Sequence, residues 1–75
     1  MRYFMNANQQ TNGDYEVHDN LCSYGKQVID PVELGDYASC QPAVQKAERL
    51  YGRAARQNDG QVNGCYYCCR PCHTQ

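Results

Sequence analysis

The strongest periodic pattern in the chain begins after Ser39. Apolar residues recur at helical spacing and fill an arc of about 140° on a helical wheel. Ser39 is a good N-cap, and Pro42 can occupy the first turn, where its missing N–H is not needed. The pattern predicts one amphipathic helix from about Ser39 to Arg56, ended by Asn58-Asp59-Gly60. The apolar positions are Ala43, Val44, Ala47, Leu50, Tyr51, Ala54 and Ala55.

Two shorter stretches alternate apolar and polar residues as β-strands do. Residues 14–18 place Tyr15 and Val17 on the face expected to meet the core, with His18 on the opposite face. Residues 32–37 predict a second short strand, which begins after a proline that cannot donate to a ladder. The apolar pair expected to pack on the core just before that proline is Val28 and Ile29.

The N-terminal segment shows neither pattern. Residues 6–13 are rich in Asn and Gln, with little to bury, and residues 1–13 as a whole are predicted to be a flexible N-terminal segment. Within this segment, Arg2 to Met5 is apolar enough for a short edge strand at most. The rest of the chain, residues 14–75, is predicted to form a single zinc-binding domain.

Composition shows that such a domain needs more than its apolar core. The 75 residues include ten Leu, Ile, Val and Phe in total, and seven Tyr supply much of the remaining bulk. Each ordered residue costs roughly 1.5 kcal/mol of conformational entropy, so a chain of this kind lies near zero net stability. A covalent or coordinate cross-link is therefore expected, and the six cysteines are its obvious source.

The charges limit the choice of partner. A net charge of −1 argues against a strongly basic nucleic-acid binder. Four basic residues nevertheless fall within about 80° of one another on the predicted helix, opposite its apolar arc. This stripe could be a solvated surface or could contact phosphates. Its members are Lys46, Arg49, Arg53 and Arg56.

The start of the chain bears on the compartment. It has no apolar core and no cleavage site of the kind found in signal peptides, and no stretch approaches the roughly 20 apolar residues of a membrane span. A cytoplasmic location is therefore expected, with all six cysteines reduced. Reduced thiols favour metal binding over disulfides.

Four of the six cysteines lie in the tail, as two Cys-x-x-Cys pairs in tandem. A Cys-x-x-Cys turn presents two thiolates to one ion with little strain. Cys68 and Cys69 are adjacent, however, so their side chains diverge and the two pairs do not suit one ion. Upstream, His18-x-x-x-Cys22 follows a predicted strand and offers two more ligands. The set favoured for a single Zn²⁺ is His18, Cys22, Cys65 and Cys68.

Other assignments stay open at this point. Cys69, Cys72 and His73 are alternative metal ligands. The tail could hold an ion locally through Cys65, Cys68, Cys72 and His73, with Cys22 or Cys69 in place of one of them. Two tetrahedral zinc sites would require Cys40, which the helical pattern instead presents as a small buried hydrophobe. An iron–sulfur cluster is disfavoured, because its four cysteines would crowd within eight residues.

A family resemblance accompanies this ligand order. The phrases "YEVHDNLC", "YASCQPAVQKAERLYG" and "NGCYYC" resemble the small metal-binding domain of the Ada-type methylphosphotriester DNA-repair proteins, over about residues 15–69. The resemblance implies zinc at four positions, with His18 in place of the family's first cysteine and Cys22, Cys65 and Cys68 at the others. The chain departs from the family in a longer central segment and in the surplus residues after Cys68. The family's basic DNA-contacting loop has no counterpart, so the methyl-accepting chemistry is not implied.

The sequence therefore predicts a small α+β domain held together by zinc, with a few short β-strands, one amphipathic helix and a C-terminal cysteine knuckle. No enzyme constellation stands out, and a non-enzymatic protein-binding module or inhibitor is the leading hypothesis, with Tyr66 and Tyr67 beside the metal as contact residues. Nucleic-acid binding through the basic helix face is the second hypothesis. A reactive-thiol protein that uses Cys69, Cys72 and His73 is the third. The oligomeric state stays open.

Overall fold

The computed structural model describes residues 1–74 and consists of a mixed sheet and one long helix. This arrangement confirms the predicted α+β class. The helix of the described residues lacks the length and apolarity needed to cross a membrane. Short 3₁₀ helices cover Gly25–Gln27 and Arg70–Cys72. The main elements are β1 (Arg2–Asn6), β2 (Tyr15–Asp19), β3 (Pro31–Asp36), α1 (Cys40–Gln57) and β4 (Val62–Gly64).

The strands form one sheet in the order β3-β1-β2-β4. β1 pairs antiparallel with both β2 and β3, and β4 pairs parallel with β2. Two features of the register position His18 and the cysteine knuckle that begins at Cys65. Phe4 lies opposite His18 in the β1–β2 pair, and Gly64 lies beside Val17 in the β2–β4 pair.

The helix covers one face of this sheet, and the core lies between them. Met5, Val17 and Leu34 are fully buried on the sheet side. The helix contributes small side chains, which allow its backbone to lie close to the strands, and the rings of Tyr15 and Tyr51 meet with centroids 5.1 Å apart. The buried residues of α1 are Cys40, Ala43, Ala47, Gly52 and Ala55.

The predicted regular elements are confirmed. The helix begins one residue after the expected N-cap, Ser39, and both predicted strands lie within one residue of the observed β2 and β3. The cap itself differs from expectation, because the Ser39 side chain accepts no capping hydrogen bond.

The prediction of a flexible segment over residues 1–13 is wrong for Arg2–Asn6. These residues form β1, an inner strand with a neighbour on each side. Tyr3 and Met5 point into the core beneath α1 and are 6% and 0% exposed, whereas Phe4 lies on the other face against His18. The segment therefore has apolar contacts on both faces of the sheet.

Two large apolar side chains do not pack as predicted. Leu50 is 57% exposed, because it lies at the edge of the apolar arc and the helix meets the sheet through its small residues. Ile29 is 93% exposed in the loop before β3, so the expectation that it packs on the core is also wrong.

The inner position of β1 can be tested with Met5→Ala. Removing a fully buried Met side chain typically lowers the free energy of unfolding by about 2–5 kcal/mol. We expect a loss in this range for Met5→Ala in urea denaturation, and a change below about 0.5 kcal/mol for the matched control Ile29→Ala, since surface substitutions have small effects. Equal, small effects of the two substitutions would contradict the placement of β1.

Candidate metal centre

Four donor atoms from two distant parts of the chain meet at the end of β2. One nitrogen of His18 and the sulfurs of Cys22, Cys65 and Cys68 all lie within 4.8 Å of one another. Two of the separations are 3.9 Å, namely Cys22 Sγ to Cys65 Sγ and Cys68 Sγ to His18 Nδ1. Tetrahedral sulfur ligands with Zn–S bonds of about 2.3 Å lie roughly 3.8 Å apart. The group is thus close enough to hold a metal ion, and it is the ligand set favoured by the sequence.

The end of β2 supplies the first two ligands. His18 is fixed by the strand itself, where it pairs with Phe4 of β1. Cys22 follows a tight turn in which the Asp19 carboxylate accepts the N–H of Leu21 at 2.9 Å, and the Asp19 carbonyl accepts the N–H of Cys22 at 3.3 Å. A carboxylate that accepts a backbone N–H two residues later stabilises this kind of turn. The turn directs Cys22 back toward His18.

The cysteine knuckle after β4 supplies the other two ligands. The Cys65 N–H donates to the Val17 carbonyl at 2.8 Å, so the parallel pairing continues one residue past β4 and brings Cys65 beside β2. Burial raises the pKa of the Cys65 thiol, and the nearby backbone N–H groups of Cys68 and Tyr67 act in the opposite direction. Backbone N–H groups of this kind favour a thiolate, as a metal ligand requires.

Gly64 permits the close approach of the knuckle to the chain that follows. A Cβ atom at this position would lie 2.7 Å from the carbonyl oxygen of Cys69 and 2.9 Å from the Cβ of Cys72. Both distances are shorter than van der Waals contact and involve atoms that cannot move away freely. Only glycine fits here.

Burial makes the group costly to ionise without a cation. Cys65 is 1% exposed and His18 4%, whereas Cys68 is half-buried. Burial raises the pKa of the Cys65 and Cys68 thiols and lowers the pKa of His18. The backbone N–H of Asp19 donates to the Cys68 sulfur at 3.4 Å, which partly offsets this effect. Neutral imidazole and a bound cation are the partners that let buried thiolates persist.

The structure pairs two cysteines that the sequence left apart. Cys40 and Cys72 form a disulfide, with Cα atoms 6.5 Å apart. The assignment of Cys72 as an alternative metal ligand is therefore wrong, as is the expectation of six reduced thiols. The 3₁₀ helix after the knuckle turns the chain back to the start of α1, where Cys40 is 7% exposed. The cytoplasmic location stays a prediction.

The other two alternative ligands also lie outside the group of four. Cys69 is fully buried, and its sulfur lies 3.8 Å from that of Cys68. Burial raises the pKa of the Cys69 thiol to about 11, which keeps it protonated near neutral pH. His73 instead contacts the knuckle backbone, with its Nδ1 atom 2.9 Å from the Gly64 carbonyl oxygen.

The two knuckle tyrosines face outward, and their role as contact residues stays a prediction. Tyr66 and Tyr67 are 44% and 66% exposed. Tyr67 stacks on Tyr24 at a centroid distance of 4.4 Å, and the Arg70 guanidinium lies 4.8 Å from the centre of the Tyr66 ring. We call these four residues the tyrosine cluster. The sequence analysis did not name Arg70 as a contact residue, although its position two residues after Cys68 could have indicated that it lies beside these tyrosines.

The basic stripe on α1 is only partly free. Arg56 pairs with Glu48, whereas Arg49 and Arg53 are exposed and form no ion pair with the described residues. Lys46 is half-buried. Nucleic-acid contact through this stripe stays a prediction.

Comparison with known proteins adds no relative. No protein-family model, curated protein or solved structure matches the chain. The resemblance to the Ada-type zinc domain stays a prediction, and the candidate metal centre rests on the closeness of its four donor atoms alone.

The disulfide can be tested by removing both of its cysteines. Its two residues are 32 positions apart, and closing a loop of this length stabilises the folded state by about 3–4 kcal/mol in the chain-entropy treatment. We expect Cys40→Ala/Cys72→Ala to lower the free energy of unfolding by about that amount in urea denaturation with zinc present. As a control, alkylation of denatured, unreduced protein should label only Cys22, Cys65, Cys68 and Cys69. Labelling of all the cysteines would contradict the pairing.

Proposed function

We propose that this chain is a small, non-enzymatic zinc-binding domain. The observation that carries the proposal is the convergence of three sulfurs and one imidazole nitrogen within 4.8 Å of one another. Three thiolates and one histidine are a common ligand set of structural zinc sites, in which the ion is almost always four-coordinate. Harder cations such as Mg²⁺ and Ca²⁺ require oxygen ligands, which this group does not offer.

The number of ligands supports a structural role for the ion. Catalytic zinc sites use three protein ligands and keep a fourth position for water or substrate. Here four protein ligands satisfy a tetrahedral ion, and three of them, His18, Cys22 and Cys65, are buried. Reactive-thiol chemistry has less support, since Cys69 is buried with a raised pKa and Cys72 is bonded to Cys40.

The tyrosine cluster supports a protein partner. Tyrosine and arginine are enriched among residues that dominate protein–protein binding, because they offer large contact areas at low entropic cost. Tyr24 and Tyr67 are held against each other, and Tyr66 meets Tyr67 edge-on at 5.2 Å, so the exposed rings are already ordered. The rigid knuckle that carries two of them would limit the entropy lost on binding.

The metal proposal predicts one ion per chain and a strict distinction between neighbouring cysteines. In a spectrophotometric Co²⁺ titration followed by Zn²⁺ displacement, we expect the unsubstituted chain to saturate at one ion. Cys65→Ser should weaken Zn²⁺ binding by more than the roughly 10- to 100-fold that outer-shell changes cause, because it removes a ligand. Cys69→Ser is the matched control, since Cys69 is also buried and also a free thiol but lies outside the group.

Two results would contradict the proposal. One is the absence of saturable metal uptake by the unsubstituted chain. The other is an equal loss of affinity in Cys65→Ser and Cys69→Ser, which would mean that the metal is bound by a different set of cysteines.

A further inference from the structure

The two ring nitrogens of His18 face different groups. Nδ1 lies 3.9 Å from the sulfur of Cys68, on the side of the metal centre. Nε2 points away from it and lies 3.5 Å from a carboxylate oxygen of Glu16. Glu16 and His18 are two residues apart on β2, so their side chains leave the same face of the sheet. The strand thus places a carboxylate directly behind the imidazole.

Packing limits how the imidazole can move between these groups. The ring of Phe4 lies against that of His18, with centroids 5.8 Å apart. Gly25 approaches both residues so closely that a Cβ atom there would lie 2.8 Å from the Phe4 ring and 3.1 Å from the His18 Cβ. Phe4 and Gly25 thus pack around the imidazole and limit its rotation.

Metal binding by Nδ1 determines where the ring proton must be. The ion takes the lone pair of Nδ1, so the single proton of the neutral ring resides on Nε2 and requires an acceptor. A carboxylate is among the usual acceptors in such positions, and it fixes both the tautomer and the orientation of the ring. The other nearby carboxylate, that of Asp19, already accepts the Leu21 N–H in the turn before Cys22. The Glu16 carboxylate forms no hydrogen bond with any other group of the described residues and has only the His18 imidazole as a neighbouring charge partner.

We infer that Glu16 is a positioning residue of the metal centre, which accepts a hydrogen bond from the Nε2–H of His18 and so presents Nδ1 to the ion. This inference rests on the proposed zinc-binding function and deepens it. Glu16 does not touch the metal; it acts through His18. A cavity of about 280 Å³ borders both side chains, so water can replace part of the lost interaction when the carboxylate is removed.

The test is a double-substitution cycle on Zn²⁺ affinity, measured by chelator competition in four chains. Glu16→Ala should weaken binding about 10-fold in the unsubstituted background, the lower end for loss of an outer-shell partner. In the His18→Cys background the same change should have less than about a 3-fold effect, because a thiolate has no second nitrogen to orient. Glu16→Gln should recover much of the affinity, since its amide oxygen can still accept a hydrogen bond from the Nε2–H.

A charge control and a spectroscopic readout separate positioning from other effects. Glu33→Ala removes the same charge from β3, where Glu33 pairs with the exposed Arg2, and should leave affinity unchanged. The visible spectrum of the Co²⁺-loaded chain should shift in Glu16→Ala and not in Glu33→Ala, because only the former changes the imidazole ligand.

The outcomes are distinguishable. Equal affinities for Glu16→Ala and Glu33→Ala, or an undiminished Glu16→Ala effect in the His18→Cys background, would overturn the role of Glu16 and leave zinc binding intact. Absence of metal uptake by the unsubstituted chain would overturn the proposed function and this inference with it.

Discussion

The convergence of β2 and the cysteine knuckle on one group of four candidate ligands is the constraint on which the rest of the structure depends. The aliphatic core is small. Apart from two cysteines, its largest fully buried side chains among the described residues are Met5, Val17 and Leu34. Cys22 and Cys65, whose sulfurs meet in this group, are 43 positions apart in sequence. An ion shared between them would close this long loop in the folded state only, and the binding free energy of such a site is folding free energy.

The same backbone pairing builds the sheet and the site. Parallel pairing of β2 with β4 places Gly64 beside Val17, and one more hydrogen bond, from Cys65 to Val17, brings the first knuckle sulfur to the end of β2. A register slip of one residue would turn the Cys65 side chain to the other face of the sheet. The Cys40–Cys72 disulfide closes the other side, where it ties the chain beyond the knuckle to the first turn of α1.

Sequence patterns reveal local elements and ligand spacings, but not which faces become covered. The helix and both alternating strands were predictable because their periodicity is local, and the ligand set followed from the His-x₃-Cys and Cys-x₂-Cys spacings. The sequence allowed β1 only as an edge strand and missed its inner position, because its five residues show no one-sided pattern: Phe4 and Met5 lie on opposite faces of the sheet. The exposure of Leu50 depends on how closely the alanines of α1 approach the sheet, which periodicity does not show.

The disulfide was missed for a related reason. Cys40 and Cys72 come together only when the knuckle and α1 are both in place. They are 32 positions apart, so no local sequence pattern predicts that they are close in space. Since the sequence offered more cysteines than one ion can use, the assignment of ligands depended on the strand that ends near His18. Cys69 remains a buried free thiol beside Cys68. The spacing of cysteines in the sequence could not distinguish it from a metal ligand.

The most direct measurement of the central claim is X-ray absorption at the zinc edge of the loaded chain. A site built from His18, Cys22, Cys65 and Cys68 predicts three sulfur neighbours at about 2.3 Å and one nitrogen at about 2.0–2.1 Å. Imidazole adds a characteristic outer-shell scattering pattern, which His18→Cys should remove. A first shell of four sulfurs in the unsubstituted chain would show that Cys69 replaces His18, and a shell of oxygen and nitrogen alone would contradict the site altogether.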